Sequence, residues 1–522
     1  MLIRQKAFWI GLSTVVMLYL SWPPMPFAAL LFVVLVPLFI VYSQLTFRYW
    51  ILTVFIALFG WNTLSTYWIY YTLPVGAFFI HLINSIIFTI PFIVFSYTQK
   101  RIHKVIAFLN FGLVWISLEY MHLSWELAFP FLNLGNGLAM YPSLFQWYEY
   151  TGSLGGSIWI LLSNILVAEL IIHRIEVKNL PIKVSTLTAI VILMPLLLSF
   201  FKFKTYKEVG STVSVVAVNP AIDCYNEKYV KDMSWVVQKN LAESDGKLSD
   251  FILWPETAIP DAGLSDQLNT NPYLETIKDK LAPNTILVTG AIIYKRYGKN
   301  VDDKVNKTFY PALDEYLSVH NAALEIQKNS LIRVVRTKKN LVPFEESAPY
   351  PDLLAFVKNS LGSLGGFSFS YLNEGIGYGE TKGVKATPLI CYEVLFGEEV
   401  ALLSFKSNIF FLLLNEGWYR NETGSLQFLY YTSLRAVETR RAIARSSNMG
   451  ISAMIDQKGT ILDRSQKIDK PSVLKGVLHL NDSNTFYASF GDFLGYCTIG
   501  SLIIINSFLF FYMIFFQRRK IY

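Results

Sequence analysis

Apolar residues fill long windows of the first 205 positions, and charged residues fall between the windows rather than within them. A helix that crosses a bilayer needs about 20 mostly apolar residues. Seven windows meet that requirement, near 6–22, 24–43, 50–71, 75–97, 104–123, 155–173 and 184–203, and an eighth lies near 494–516. The first two form one run interrupted by "SWPPMP", where Pro23 and Pro24 cannot continue a helix, so a tight hairpin is expected there. Between about 205 and 490 the pattern changes. Charge becomes frequent, and short β-branched runs ("VSVVAV", "FILW", "TILVTGAII", "LIRVVR", "TPLICYE", "IFFLLLN", "GISAMID") alternate with amphipathic stretches ("NEKYVKDMSWVVQKNLAES", "SLQFLYYTSLRAVETRRAIAR"). Fully apolar strands such as "IFFLLLN" fit a sheet covered on both faces. The expected organisation is a seven-helix membrane domain over 1–204, an α/β domain over 205–490, and a last transmembrane helix with a tail over 491–522. The Gly-rich, aromatic stretch 361–379 reads as a long loop that could act as a lid.

Composition agrees with a membrane protein. Of the 522 residues 53% are hydrophobic and only 16% charged, against about 25% charged in soluble domains. The basic, apolar N-terminus resembles a signal peptide but lacks a small-residue cleavage site, so it is expected to be a retained span. The net charge of +7 matters less than its placement. With the N-terminus taken as cytoplasmic, Arg4, Lys6, Arg48, the "QKRIHK" and "HRIEVKNLPIK" loops and the C-terminal "QRRK" all fall on one side. The alternate loops "SWPPMP", "YYTLPVG" and the long 122–153 segment contain no Lys or Arg. That asymmetry puts both termini in the cytoplasm and the α/β domain outside. The 122–153 segment, rich in aromatics, suits either the membrane interface or packing between spans. The spans are nearly free of charge, which argues against a transport pathway.

Three cysteines, Cys224, Cys391 and Cys497, make no disulfide framework and no metal-binding C-x-x-C pair. Cys224 sits in polar sequence without a motif, and Cys497 lies in the last span, where packing is the simple reading. Cys391 ends an apolar strand and is followed at once by Tyr392 and Glu393. Two other segments carry candidate chemistry: "DFILWPETAIP" presents Glu256 after a short strand, and "RTKKNLVPFEESAPYP" sets Lys338 and Lys339 before Glu345 and Glu346. In open α/β folds, sites collect at the carboxyl ends of strands. A thiol, a carboxylate and an ammonium could together perform acyl transfer: the acid accepts the thiol proton, and the ammonium stabilises thiolate and oxyanion. Each also has a plainer reading, as core hydrophobe, turn residue or solvated surface charge.

At these three places the sequence resembles the nitrilase (carbon–nitrogen hydrolase) superfamily, and with its spans it looks like the membrane-embedded apolipoprotein N-acyltransferase branch. "SWPPMPF", "VNPAIDCYNEKY", "LWPETAIP", "NKTFY", the Lys before "LVPF-x-E", "CYE", "NEGWY", "RAVETRR" and "RSSNMGISAMID" occur in the family's order. The resemblance implies an α-β-β-α sandwich and a Glu–Lys–Cys triad of Glu256, Lys338 and Cys391. It implies supporting roles for Glu346, Tyr392, Glu393 and Asn306, and substrate contact for Trp418. It further implies that an acyl chain passes from a membrane phospholipid through a Cys391 thioester to the amine of a diacylglyceryl-cysteine lipoprotein. The expected setting is the bacterial inner membrane with the catalytic domain periplasmic. No metal, soluble cofactor or nucleic acid is implied. Three positions depart from the family: Glu345 replaces a usual Gly, Arg336 a usual aromatic, and "NEGWY" the commoner "NDAWF". A membrane-tethered amidase or nitrilase-type hydrolase, with water opening the thioester, is the first alternative; a non-catalytic transporter or scaffold is the second. Because both substrates carry acyl chains, and each buried CH₂ is worth about 0.8 kcal/mol, such a site is expected to meet the bilayer edge.

Overall fold

The computed structural model describes residues 2–177, 181–244, 246–297, 307–311, 313–347, 349–350, 379–381 and 383–512, so Asn306 and most of the expected lid segment lie outside the described residues. The chain divides into two compact units. One comprises Met1–Tyr67, Ala77–Lys204 and Phe490–Tyr522; the other comprises Trp68–Gly76 and Thr205–Ser489.

The first unit is helical. Helix α1 covers Leu2–Ser21. Among the described residues six helices are long and apolar enough to cross a membrane. They are α3 (Phe47–Ser65), α4 (Pro74–Gln99), α5 (Lys104–Met121), α6 (Tyr148–Val177), α7 (Ile182–Thr205) and the stretch Phe493–Phe511 of the C-terminal helix. Of the eight expected spans, that near 6–22 is the helix α1 but is not among these six, and that at 24–43 is not one continuous helix. There the chain forms two short 3-10 turns flanking α2 (Val36–Ile40). Proline supplies the reason: Pro23, Pro24, Pro26 and Pro37 each lack an amide proton, so no long helical ladder can run through the segment. The backbone groups so released are met by one side chain. Asn164 of α6 accepts from Leu35 N at 2.8 Å and donates to Leu31 O at 2.7 Å. The aromatic segment after α5 is buried from Phe129 to Ala139, with Leu134 N donating to Glu119 at 2.8 Å, which favours the packing reading over the interfacial one. Cys497 corrects an expectation: it lies on an exposed side of the last helix rather than in a packed seam.

The second unit holds two sheets. The first runs in the order β13-β1-β2-β3-β5-β4, with β6 also paired to β5. Its strands are β1 (Thr212–Asn219), β2 (Phe251–Ile259), β3 (Ile286–Tyr297), β4 (Thr308–Tyr310), β5 (Glu315–Gln327), β6 (Arg333–Thr337) and β13 (Ser472–His479). The second runs β12-β11-β10-β9-β8-β7. Its strands are β7 (Gly379–Thr381), β8 (Val384–Ile390), β9 (Ile409–Asn415), β10 (Ile443–Asn448), β11 (Ala453–Ile455) and β12 (Ile461–Arg464). Each sheet has a parallel trio at its centre, β1-β2-β3 and β8-β9-β10.

Side chains from the facing surfaces interlock, with Phe251 of β2 against Phe411 of β9 at 5.0 Å between ring centroids. Helices α8 (Met233–Ser244) and α9 (Pro272–Lys280) pack Val237, Leu274 and Ile277 on the outer face of the first sheet. Helices α10 (Gly397–Ser404) and α11 (Glu422–Thr439) lie on the other side. All seven residues of β9 are buried, as an apolar strand covered on both faces requires. This is an α-β-β-α sandwich.

Two amphipathic windows are shorter helices than expected. The first begins only at Met233. The second ends at Thr439, where Arg440 turns left-handed at φ 52°, and its "RAIAR" end becomes the buried strand β10. The physical cause is Arg441: its guanidinium donates to Ser407 O (2.6 Å), Ser483 O (2.6 Å) and Ser404 O (2.9 Å), which pulls the chain out of the helix and into the sheet. The strands β5 and β13 had no clear periodic signal of their own.

Candidate active site

The site forms where strand ends of both sheets meet. Pairing between β2 and β3 slips between Trp254 and Ile259, because Pro255 has no amide proton to donate. The four residues 255–258 bulge outward, with Thr257 at φ 47°. The bulge presents Glu256 inward. It lies against Gly290 of β3, where a Cβ would stand only 2.4 Å from Thr257 N and 2.6 Å from Glu256 Cα. On the second sheet, β8 ends at Ile390 and Cys391 turns left-handed at φ 50° before a short 3-10 turn. A strained non-glycine residue of this kind persists only where its surroundings fix it.

Lys338 follows β6 and links the two. Its ammonium, 2% exposed, donates to Glu256 Oε1 at 3.0 Å and to Glu346 Oε1 at 2.8 Å. Glu256 Oε1 also accepts from Asn321 Nδ2 at 2.8 Å, and its Oε2 accepts from Asn415 N at 3.0 Å. Glu346 Oε2 takes Val342 N at 2.8 Å. Cys391 is half-buried, and its thiol lies within reach of the charges of Glu256, Lys338 and Glu346. The structure therefore brings Glu256, Lys338, Glu346 and Cys391 together.

Electrostatics follow from that geometry. Burial pushes the Cys391 thiol well above its ordinary range, and the charge on Glu256 adds to this, while Lys338 opposes it. Burial alone would lower Lys338, but Glu256 and Glu346 hold it well above the usual lysine range. Burial also raises Glu346. Two carboxylates share one ammonium, so the thiol rests protonated beside an acceptor for its proton.

Glu393 works on the scaffold. Its carboxylate takes both Arg336 Nη2 (2.8 Å) and Nε (3.1 Å), together with Lys339 N and Ile390 N, each at 2.8 Å. It thereby clips the Lys338 segment to the Cys391 turn. Arg336, a departure from the family pattern, is thus the buried partner of Glu393, with Glu399 at 3.3 Å as a second. Tyr392 is buried against Phe396. Trp418 stacks on Tyr229 at 5.9 Å and meets Tyr225 edge-on at 5.5 Å, beside the cluster rather than within it. Cys224 is buried, its thiol 3.0 Å from Asn415 Oδ1.

Sequence reasoning missed two residues. Asn321 is one of several buried polar residues of β5 and had no motif to announce it. Lys228, 2% exposed, donates to Glu256 O at 3.0 Å and to Thr257 Oγ1 at 2.7 Å, so it braces the bulge from behind. Burial lowers its pKa to about 8. It sits in "NEKY", where its position among exposed charges hid it. The segment Trp68–Gly76 also packs in this unit: Trp68 Nε1 donates to Gln427 Oε1 at 2.9 Å and its ring lies 4.7 Å from Tyr419. Among the described residues no group of His, Cys, Asp and Glu is arranged to hold a metal.

A half-buried thiol beside a buried carboxylate–ammonium pair on an α-β-β-α sandwich defines a class, and comparison gives the same one. The model of the carbon–nitrogen hydrolases matches residues 213–475, and the chain belongs to that family. Residues 15–166 match a second model, the apolipoprotein N-acyltransferase N-terminal domain. Among curated relatives, apolipoprotein N-acyltransferase of Chlorobaculum tepidum is 25% identical over 95% of this chain and 95% of its own. The protein of the same name from Geobacter metallireducens is 25% identical over 76% of this chain and 73% of its own. A solved amidase from a Nesterenkonia species is 12% identical, with a TM-score of 0.36 over 56% of this chain and 99% of that one.

Proposed function

We propose that this protein is an N-acyltransferase of lipoproteins, that its acyl donor is a membrane phospholipid, and that Cys391 carries the acyl group between them. Similarity to apolipoprotein N-acyltransferases in both parts of the chain supports lipoprotein N-acylation in a membrane. The observation that carries the mechanism is the cluster of charges around the Cys391 thiol, with Lys338 held on the Glu256 carboxylate at 3.0 Å. Glu256 takes the thiol proton as Sγ attacks the ester carbonyl of the phospholipid. Lys338 stabilises the oxyanion. The C–O bond breaks, Glu256 returns the proton to the leaving alkoxide, and a lysophospholipid departs from the thioester. The amine of a diacylglyceryl-cysteine then attacks the thioester carbonyl, the C–S bond breaks, and Sγ recovers a proton through Glu256. Glu346 shares the charge of Lys338 and holds it in place.

The distribution of Lys and Arg supports a cytoplasmic location for both termini and a periplasmic one for the α/β unit, in a bacterial inner membrane. On this reading the catalytic domain runs from about 205 to 490 between the spans. The test is mass spectrometry of purified protein incubated with phospholipid. An acyl mass should appear on the peptide holding Cys391 and leave when a diacylated lipopeptide is added. Loss of that mass to water at the same rate without the lipopeptide would instead establish a hydrolase.

A further inference from the structure

Glu416 is a buried carboxylate that the reaction above leaves without a task. It opens the 3-10 turn Glu416–Trp418 at the end of β9. Side chains alternate along a strand, so Arg445 and Ser447 of β10 share a face. The register Leu412↔Arg445 and Leu414↔Ser447 sets both beside the end of β9. Both reach the Glu416 carboxylate: Arg445, itself buried, pairs with Oε1 at 2.6 Å, and Ser447 Oγ donates to Oε2 at 2.8 Å. Tyr419 OH donates to Oε1 at 2.7 Å, and Ile451 N, in the turn after β10, donates to Oε2 at 2.9 Å. Gly450 makes room for this approach, since a Cβ there would stand 2.0 Å from Glu416 Oε2.

The residue before Glu416 belongs to the site. Asn415 N donates to Glu256 Oε2 at 3.0 Å, while Lys338 and Asn321 hold Oε1. Asn415 is also the last paired residue of β9, opposite Asn448. Beyond it the sheet no longer fixes the backbone, and the four contacts to the Glu416 carboxylate take over that duty. Hydrogen bonds to an ionised group are roughly twice as strong as neutral ones, so this anchor is stiff. Gly417 lets the turn close down, because a Cβ there would stand 2.7 Å from Cys224 Sγ and 3.2 Å from Met449 Cβ.

We propose that Glu416 and Arg445 are a positioning pair: they fix the turn at the end of β9 so that the Asn415 amide holds Oε2 of Glu256 in the geometry that acyl transfer uses. This rests on the reading of Glu256 as the base for Cys391 given above. The pair acts through one backbone amide and not on a reacting atom. Its leverage comes from the sensitivity of proton transfer to placement, where a displacement of about 1 Å can cost about a hundredfold in rate. Lys228 braces the 255–258 bulge through the Glu256 carbonyl, and the Glu416–Arg445 pair secures the carboxylate end of the same residue.

The test uses the full chain and labelled phospholipid, and reads acyl loading of Cys391 per folded molecule together with hydrogen exchange across β9 and the turn after it. Glu416→Asp keeps the charge and withdraws it by one CH₂. Its maximal loading rate should fall about tenfold or more, the half-saturating phospholipid concentration should stay at the unmodified value, and exchange at the Asn415 amide should rise while residues 410–414 keep their protection. Leu274→Ala, a core truncation on the outer face of the first sheet, loosens the fold elsewhere and should load at the unmodified rate. Unmodified loading in Glu416→Asp, a deficit confined to phospholipid saturation, unchanged exchange at Asn415, or equal slowing in Leu274→Ala overturns the proposal. If Glu416→Asp fails to fold, Arg445→Lys decides: it keeps the opposite charge but loosens the pair, the same pattern is expected, and unmodified loading overturns the assignment. Absence of any acyl mass on Cys391 in the unmodified protein removes the thioester reading and this inference with it, whereas normal loading in the variants removes this inference alone.

Discussion

The two units differ in the charge they bury. In the helical unit the enclosed polar groups are mostly neutral and serve the backbone: Asn164 bridges Leu31 O and Leu35 N, Ser157 Oγ takes Gly135 N, and Tyr148 donates to Gly135 O. In the α/β unit buried neutral groups are joined by buried ions held in networks: Lys338 with Glu256 and Glu346, Arg336 with Glu393, Arg445 with Glu416 at 2.6 Å. Neutral polar contacts between membrane helices are worth about 0.6–2 kcal/mol. Breaking one partner of a buried ion pair costs about 3–5 kcal/mol, because the other charge is stranded. The helical unit is therefore organised by many small terms, and the catalytic unit by a few large ones centred on the site.

That contrast can be broken most sharply at the nucleophile. Cys391→Ala should lower transfer by at least about a thousandfold while thermal unfolding stays near the unmodified value; full activity in a lipopeptide acylation assay would exclude Cys391 as carrier. Next is the scaffold pair. Arg336→Met should destabilise the α/β unit by about 3–5 kcal/mol by stranding Glu393, whereas Asn164→Leu in the helical unit should cost about 1–2 kcal/mol; denaturation midpoints that rank the two the other way would refute the contrast. Lys228→Met should slow acyl loading about tenfold by releasing the 255–258 bulge, with Lys228→Arg recovering part of it, and equal loading in all three proteins would deny the brace.

The smallest effect is electrostatic. The Glu345 carboxyl is raised from 4.5 to about 7, so between those values the folded state holds a proton that the unfolded state has lost, and stability declines as pH rises through that window. Glu345→Gln should flatten that decline in melting temperature between pH 5 and pH 8; an unchanged slope would show that Glu345 does not titrate there.

How much of this could be read from the chain depends on which interactions are local. The strands of the parallel trios, apart from β10, were legible because their apolar runs are short and bounded. That Glu256 and Cys391 stand at strand ends, where sites collect, was legible from the chain, but not that they meet. The convergence of Lys338 with both was carried by motif resemblance, since no local rule joins segments 50 or more residues apart. The breakdown at 24–43 was half visible: Pro23 and Pro24 were read as a hairpin, but the effect of Pro37 and the compensating Asn164 lies 127 residues further on. The helix-to-strand change at Arg440 depends on carbonyls of Ser404, Ser407 and Ser483, which no periodicity reports. Arg336 was noted as a departure; its meaning required Glu393 across the fold.

The missing side chain at Gly290 has an outcome of its own. Even a methyl there would press on the protruding loop of the neighbouring strand and swing its carboxylate away from the sulfur. In a blind mutagenesis survey, position 290 would score as fully inactivating and be mistaken for a participant in the reaction, although it offers nothing to any ligand. Its contribution is vacant space, and only a second mutation that shortens the protrusion could restore what an alanine takes away.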